Sequence, residues 1–334
     1  MKVAVIGAGS WGTALAIIAG RAGHDVGLWS RNSAVVDSIN EEHSNPCYLK
    51  AARIPDNVHA SEDIREVAGA AELLILAAPS HATRELVTQM STVLRPQMTI
   101  VSAAKGIEIE TGKRISEIVE EVVSEEARPR FVCLSGPSFA KEVVENHPTA
   151  VVAAGADHEA TRVVQSALSV QNFRIYTNDD VVGTELAGSL KNVIAIASGM
   201  VAGLGFGSNS LAALITRGLA EITRLALHQG ARIETMIGLA GVGDLVLTCT
   251  GSLSRNRFVG EELGKGRALD DIQCQMSEVA EGVKTTLAAK MLAQRVGVQM
   301  PIASEVHAVL YAKKSVRDAV AELMSRPLQT EKNW

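Results

Sequence analysis

Lys2-Val3-Ala4-Val5-Ile6-Gly7-Ala8-Gly9-Ser10-Trp11-Gly12-Thr13-Ala14-Leu15-Ala16 sets an apolar run, a glycine-rich turn and a stretch of small residues in immediate succession. The glycines at 7, 9 and 12 have the G-x-G-x-x-G spacing. Such turns are common, so the spacing alone decides little and the context decides more. A buried strand runs into the turn, a helix leaves it, and the next strand pattern begins at Val26. In that setting Gly7 permits the tight turn, Gly9 lets the backbone approach a pyrophosphate, and Gly12 lets helix and strand pack closely. Free N–H groups and the macrodipole at the helix N-terminus favour an anion there.

Outward from this turn, the first half of the chain repeats one rhythm. Short Val/Ile/Leu runs at Val3–Ile6, Val26–Trp29, Leu73–Ala77, Thr99–Val101, Phe131–Leu134 and Val151–Ala153 alternate with stretches of helical period. They are near-continuously apolar, as strands of a parallel sheet buried on both faces are. Near Thr177-Asn178-Asp179-Asp180 the rhythm stops and consecutive helices begin. The expectation is a Rossmann-like doubly wound α/β domain over 1–177, binding NAD(P), and an all-α domain over 178–334 that binds substrate and carries catalysis. One later helix is marked from a capping Asn209 to a stop at Gly230.

Composition sets limits on function. A net charge of -5 leaves no electrostatic footprint for nucleic acid, and no Lys/Arg block suggests a membrane surface. Cys47, Cys133, Cys249 and Cys274 lie far apart, without metal or redox spacing, and are expected to be reduced, buried thiols. The opening apolar run is too short for a signal peptide, so a cytoplasmic location is expected. Val193–Gly207, the longest weakly polar stretch, falls short of the roughly 18 residues of a membrane span. No metal-ligand cluster and no nucleophile elbow is visible.

Several residues carry candidate chemistry. Where an NAD enzyme places an acid after the second strand, this chain has Ser30-Arg31; an Arg pairs with a 2'-phosphate, so NADP is expected. Lys105, Pro79 and Gly136-Pro137-Ser138 fall just past strand ends, where open parallel sheets bind ligands. Lys191 lies on a helix through Glu185–Asn192, with small residues Ala187, Gly188, Ala195 and Ser198 as helical neighbours. A Gly/Ser/Thr-rich loop from Gly241 through Thr250 leads to Ser254-Arg255-Asn256-Arg257. There Arg255 and the Asn256 amide suit a phosphate, and Asp244 offers a carboxylate to orient a lysine.

These motifs together resemble one family, the bacterial-type NAD(P)-dependent glycerol-3-phosphate dehydrogenases. Besides the turn, the resemblance rests on Ser102-Ala103-Ala104-Lys105-Gly106, Gly136-Pro137-Ser138-Phe139-Ala140, Glu185–Asn192, Gly203–Gly207 with Thr216-Arg217-Gly218, Gly243-Asp244-Leu245, Ser254-Arg255-Asn256 and Val279-Ala280-Glu281-Gly282. It implies reduction of dihydroxyacetone phosphate to sn-glycerol 3-phosphate for phospholipid synthesis, with NADP(H) and also NAD(H) as cofactors. Lys191 is then the acid/base, and Lys105, Gly136, Ser138, Asp244, Ser254, Arg255 and Asn256 bind substrate. The cofactor would be met by Gly7, Gly9, Ser10, Trp11, Gly12, Arg31, Lys105, Ala140, Arg255, Val279 and Glu281. One departure from the family pattern is Lys50 after Tyr48-Leu49, where many members have Pro. The apolar helical domain suggests a homodimer.

Two other readings stay open at this point. A two-domain 3-hydroxyacid dehydrogenase would share the cofactor domain and a catalytic lysine, but has less use for Arg255-Asn256. An NADP-sensing protein without turnover would need neither Lys191, Lys105 nor Asp244.

Overall fold

In the computed structural model, which describes residues 1–50, 52–276, 280–328 and 330–331, the apolar runs become strands. They are β1 (Lys2–Ile6), β2 (Asp25–Trp29), β3 (Val58–Ser61), β4 (Leu73–Leu76), β5 (Thr99–Ser102), β6 (Arg130–Ser135), β7 (Thr149–Ala154) and β8 (Phe173–Asn178). They form one sheet in the order β3-β2-β1-β4-β5-β6-β7-β8. Val3 pairs with Val26 on one side and Leu73 on the other. The chain order therefore reverses between β1 and β4, the position where doubly wound sheets bind ligands, and the Gly7–Gly12 turn stands at the carboxyl end of β1. Successive side chains of a strand point to opposite faces. Val3, Val5, Leu73 and Ile75 accordingly join one core, while Ala4, Ile6, Leu74 and Leu76 join another.

The sheet departs from the all-parallel expectation at one place: β7 runs antiparallel to β6, and β8 is parallel to β7. Only the five-residue helix Ala140–Val144 lies between β6 and β7. A parallel crossover needs a chain long enough to return over the sheet, usually with a full helix. β7 instead starts from the end at which β6 stops.

Contacts divide the chain into Met1–Ala104 with Lys113–Val181, and Lys105–Gly112 with Val182–Trp334. A single cut after Thr177 thus misses that Lys105–Gly112 belongs with the later helices. Ile107 sits in their hydrophobic core.

The core of the second unit is organised by the helix Val181–Gly203, buried on every face from Gly183 to Val201. Its length and composition would suit a bilayer, but 89% of the relevant window is buried inside the chain. The helical stretch Ile233–Thr250 also meets those length and apolarity limits, with 44% of its window buried. Helix Arg255–Gly264 approaches Val181–Gly203 backbone to backbone. A Cβ on Gly260 would lie 1.9 Å from the Ile196 carbonyl oxygen, and one on Gly199 1.9 Å from that of Arg257. This close crossing sets Asn256 against the helix that carries Lys191.

The marked later helix runs Ser208–His228, and its N-cap is Gly207 rather than Asn209. It buries Glu221, whose carboxylate accepts the Ile302 N–H at 2.7 Å and the Ala303 N–H at 3.3 Å, closing the start of helix Pro301–Tyr311. Burial pushes its pKa up to about 7, against these two bonds and the charges of Arg224 and Arg326. A pKa raised on folding contributes stability that is complete below the unfolded value and is lost as pH rises through 7. Glu221→Gln should therefore flatten a component of stability on the order of 3 kcal/mol between about pH 4.5 and pH 7. Chemical denaturation of both proteins at several pH values checks this; identical pH slopes would mean that Glu221 does not titrate in that window.

Candidate active site

Lys191 lies midway along Val181–Gly203, on a helix whose neighbours are so apolar or small that its side chain has almost no route to bulk water. It is 5% exposed. Its Nζ donates to Asp244 Oδ1 at 2.6 Å and to Thr248 Oγ1 at 2.7 Å. Asp244 Oδ2 accepts from Lys105 Nζ at 2.7 Å. One carboxylate, 1% exposed, thus bridges two lysines.

The local sequence explains this. Asp244 opens helix Asp244–Thr250 and Thr248 follows it by one turn, so both meet Lys191 from one helix face. The Thr248 hydroxyl also donates to the Asp244 backbone carbonyl at 2.7 Å, which leaves its lone pairs to accept from the ammonium. The expected loop from Gly241 to Thr250 is in fact helical, a π-helical turn Leu239–Gly243 running into Asp244–Thr250. Its glycines permit close packing, since a Cβ on Gly241 would stand 2.0 Å from the Met236 carbonyl oxygen.

Burial dominates the Lys191 pKa. Desolvation and the Lys105 charge lower it to about 8, against the opposing pull of Asp244. Asp244 shows the opposite balance: burial raises it, but Lys105 and Lys191 outweigh burial and hold it below the usual carboxylate range. The Cys249 thiol beside them is pushed up to about 12 by burial and stays protonated. All four cysteines are free thiols, but only Cys133 and Cys249 are buried as expected; Cys47 and Cys274 are exposed.

A second network reaches the same residues. Asn192 Nδ2 donates to the Lys105 carbonyl at 3.4 Å, and Asn256 Nδ2 donates to Asn192 Oδ1 at 3.0 Å. The Asn256 Oδ1 in turn accepts the Gly282 N–H at 2.9 Å. Much of the Asn256 amide is therefore spent inside the protein, leaving one Nδ2 hydrogen for a ligand. Ser254 caps helix Arg255–Gly264 by accepting the Arg257 N–H at 3.2 Å, and Arg255 is exposed at the first turn. A helix start flanked by Arg suits a phosphate. Glu281 opens helix Glu281–Val296. Val279 lies outside the described residues.

Other expected residues lie in the first unit. Gly136, with φ +133°, and Ser138, whose Oγ donates to the Gly136 carbonyl at 3.0 Å, follow β6. Ala140 begins a short helix against the first core. Arg31 is exposed beyond the buried Ser30 at the end of β2. Trp11 packs against Phe173 with ring centroids 6.5 Å apart. In the turn, a Cβ on Gly12 would collide with the Gly7 carbonyl oxygen at 1.8 Å, whereas a Cβ on Gly9 would meet nothing within 4 Å. The protein's own packing thus demands Gly12 but not Gly9, and the open space at Gly9 fits a phosphate held against backbone.

Thr248 and Asn192 were not singled out as site residues from the sequence. Thr248 was findable by its four-residue spacing from Asp244. Asn192 was not, because its role depends on residues 64 and 87 positions away.

Comparison with known proteins bears on the whole chain. The sequence profile described as NAD-dependent glycerol-3-phosphate dehydrogenase N-terminus matches residues 2–161, and that described as its C-terminus matches residues 180–321. A glycerol-3-phosphate dehydrogenase [NAD(P)+] of Koribacter versatilis is 55% identical over 332 residues, 99% of this chain and 98% of that protein. One from Myxococcus xanthus is 50% identical over 331 residues, 99% of each. Among solved structures, glycerol-3-phosphate dehydrogenase from Coxiella burnetii superimposes with a TM-score of 0.93 at 39% identity, covering 97% of this chain and 99% of the other. With profiles matching both of its halves and relatives alike over nearly its full length, the chain belongs to the NAD-dependent glycerol-3-phosphate dehydrogenase family of oxidoreductases.

Proposed function

We propose that this chain reduces dihydroxyacetone phosphate to sn-glycerol 3-phosphate with NADPH or NADH, and that Lys191 is the proton donor. The observation that carries the mechanistic part is the buried Asp244 held between the buried Lys191 and the partly buried Lys105. With Lys191 protonated, two ammonium groups share one carboxylate, and the remaining positive charge favours an anionic ligand. When bound, the reduced nicotinamide supplies the hydride. Negative charge then builds on the ketone oxygen; the Lys191 ammonium stabilises it and gives up the proton. Asp244 keeps Lys191 charged enough to do so, and Thr248 fixes the direction of its Nζ. Lys105, Ser254, Arg255, Asn256, Gly136 and Ser138 are assigned to the substrate.

The cofactor is assigned to Gly7, Gly9, Ser10, Trp11, Gly12, Arg31, Lys105, Ala140, Arg255, Val279 and Glu281. The product is a backbone for glycerophospholipid synthesis, placed here in the cytoplasm, and the active form is read as a homodimer. Exposed Ile233, Ile237 and Val246 on the second unit support an apolar interface.

The test is NADPH oxidation with dihydroxyacetone phosphate and, separately, with unphosphorylated dihydroxyacetone, repeated with NADH. Rapid oxidation that needs the phosphate is expected; equal rates with both ketones would remove the phosphate assignment. Arg31→Ser should lower the ratio of kcat/KM for NADPH over NADH about tenfold, the loss of one charge-assisted pair. An unchanged ratio would place Arg31 outside the 2'-phosphate site.

A further inference from the structure

Asn45 stands outside the glycine-rich spacing, between helix Ser33–Glu42 and β3, yet its side chain reaches back to the turn. It is 0% exposed. Its Nδ2 donates to the Ala8 carbonyl oxygen at 2.9 Å and to Thr13 Oγ1 at 2.8 Å, so both amide hydrogens are used. Thr13 Oγ1 makes a longer bond of 3.3 Å to the same Ala8 carbonyl.

The consequence follows from amide geometry. A trans peptide is planar, with its carbonyl oxygen and the next N–H on opposite edges. No peptide in the described chain is cis. Holding the Ala8 carbonyl against Asn45 and Thr13 therefore turns the Gly9 N–H the other way. Gly9 is also the turn glycine around which an added Cβ would meet nothing. If the Ala8 peptide flipped, a carbonyl dipole would replace an N–H at that place and repel a phosphate.

The segment that carries Asn45 is itself fastened to the turn. Ser10 Oγ donates to the Tyr48 carbonyl at 2.9 Å. The N–H groups of Tyr48 and Leu49 bond the Asn45 carbonyl at 3.3 and 2.8 Å, and Leu49 is buried in the first core. The loop is held at its base, and the Asn45 amide is held in register with Ala8.

We propose that Asn45 is a positioning residue for dinucleotide binding: it fixes the Ala8–Gly9 peptide so that the cofactor's pyrophosphate meets an N–H rather than a carbonyl. This rests on reading Gly7–Gly12 as the cofactor turn. Asn45→Ala removes the donor, and Asn45→Asp keeps the shape while setting an acceptor against the Ala8 carbonyl.

Both variants should raise KM for NADPH and the inhibition constant of ADP-ribose about 10-fold to 100-fold, one to two charge-assisted bonds' worth. Saturated kcat, KM for dihydroxyacetone phosphate and the inhibition constant of adenosine, which has no phosphate, should stay within about twofold. If Asn45→Ala does not fold, Thr13→Val carries the test, because it removes the second donor to Ala8 and one Asn45 partner without changing shape. It should raise KM for NADPH about threefold, a weak bond's worth.

Wild-type NADPH affinity in the Asn45 variants would overturn the proposal. So would a loss spread equally over kcat, both KM values and adenosine, which marks general loosening. Failure of ADP-ribose to compete in the unmodified enzyme would be a different result, since it would remove the cofactor turn itself and this inference with it.

Discussion

Lys191→Ala should lower kcat for ketone reduction by about a thousandfold, roughly 4 kcal/mol of transition-state stabilisation, while NADPH binding stays near normal. The size of the loss follows from two tasks resting on one atom. In the proposed mechanism the Lys191 Nζ is both the buried cation that meets the forming alkoxide and the proton source. Its removal does not leave Asp244 stranded, because Lys105 still pairs with it at 2.7 Å. The fold should survive, and the deficit should lie in chemistry rather than assembly.

The unaltered enzyme carries a companion signature. With a pKa of about 8, Lys191 is protonated below that value and neutral above it. Ketone reduction, which needs the proton, should fall as pH rises through about 8; glycerol 3-phosphate oxidation, which needs the free amine, should rise over the same window. Steady-state rates in both directions from pH 6 to 10, with cofactor titrations of the variant, decide the matter. Turnover of the variant within tenfold of normal would strip Lys191 of the role.

Asp244→Asn should produce the second large effect, and it should combine damage to activity with damage to stability. The change leaves two ammonium groups facing a neutral amide in a site that is almost fully buried. Breaking a buried ion pair from one side costs about 3 to 5 kcal/mol, so the melting temperature should drop by several degrees. The sign with pH is definite. The Asp244 pKa is lowered in the folded chain, so its contribution is present above the unfolded value near 3.8 and lost as pH falls through the folded value.

Near neutrality the carboxylate is charged and its removal is fully felt. Lys191 would lose the charge that holds its proton, and its pKa should fall further below 8. The midpoint of the reduction profile should move to lower pH, with kcat at pH 7.5 down about a hundredfold. Melting curves and pH profiles of the variant check both parts. A normal midpoint would show that Asp244 does not set the Lys191 proton affinity.

The readability of this protein in its sequence varied with how local each feature is. β1 and its turn were legible because strand, glycines and helix follow one another without interruption. The interior strands were legible because burial on both faces leaves them continuously apolar. Both edge strands escaped notice: β3 reads Val-His-Ala-Ser and β8 Phe-Arg-Ile-Tyr-Thr-Asn, each with only one apolar face. The reversal of β7 escaped as well, since strand direction depends on the connection and not on the strand's own residues.

At the candidate active site, Lys191 and Asp244 stood out by residue type and by family resemblance, but nothing local announces their burial. That property comes from the burial of Val181–Gly203 on every face from Gly183 to Val201, and it supplies the largest influence on the Lys191 pKa. Asn45 was equally hidden. Its partner Thr13 is 32 residues away, and only the folded chain brings the two together.

The excursion of Lys105–Gly112 into the second unit bears on how such a chain can be cut or recombined. The backbone passes between the units three times, after Ala104, Gly112 and Val181, so neither unit is a continuous stretch of gene. A fragment beginning at Val182 would lack Lys105, one of the two cations on Asp244, and would lack Ile107 from its own core. Exchanging the later helices between relatives at a single crossover near residue 181 would import an Asp244 matched to one parent's Lys105 loop and join it to the other's. Keeping that pair from one parent requires residues 105–112 to travel with the later helices.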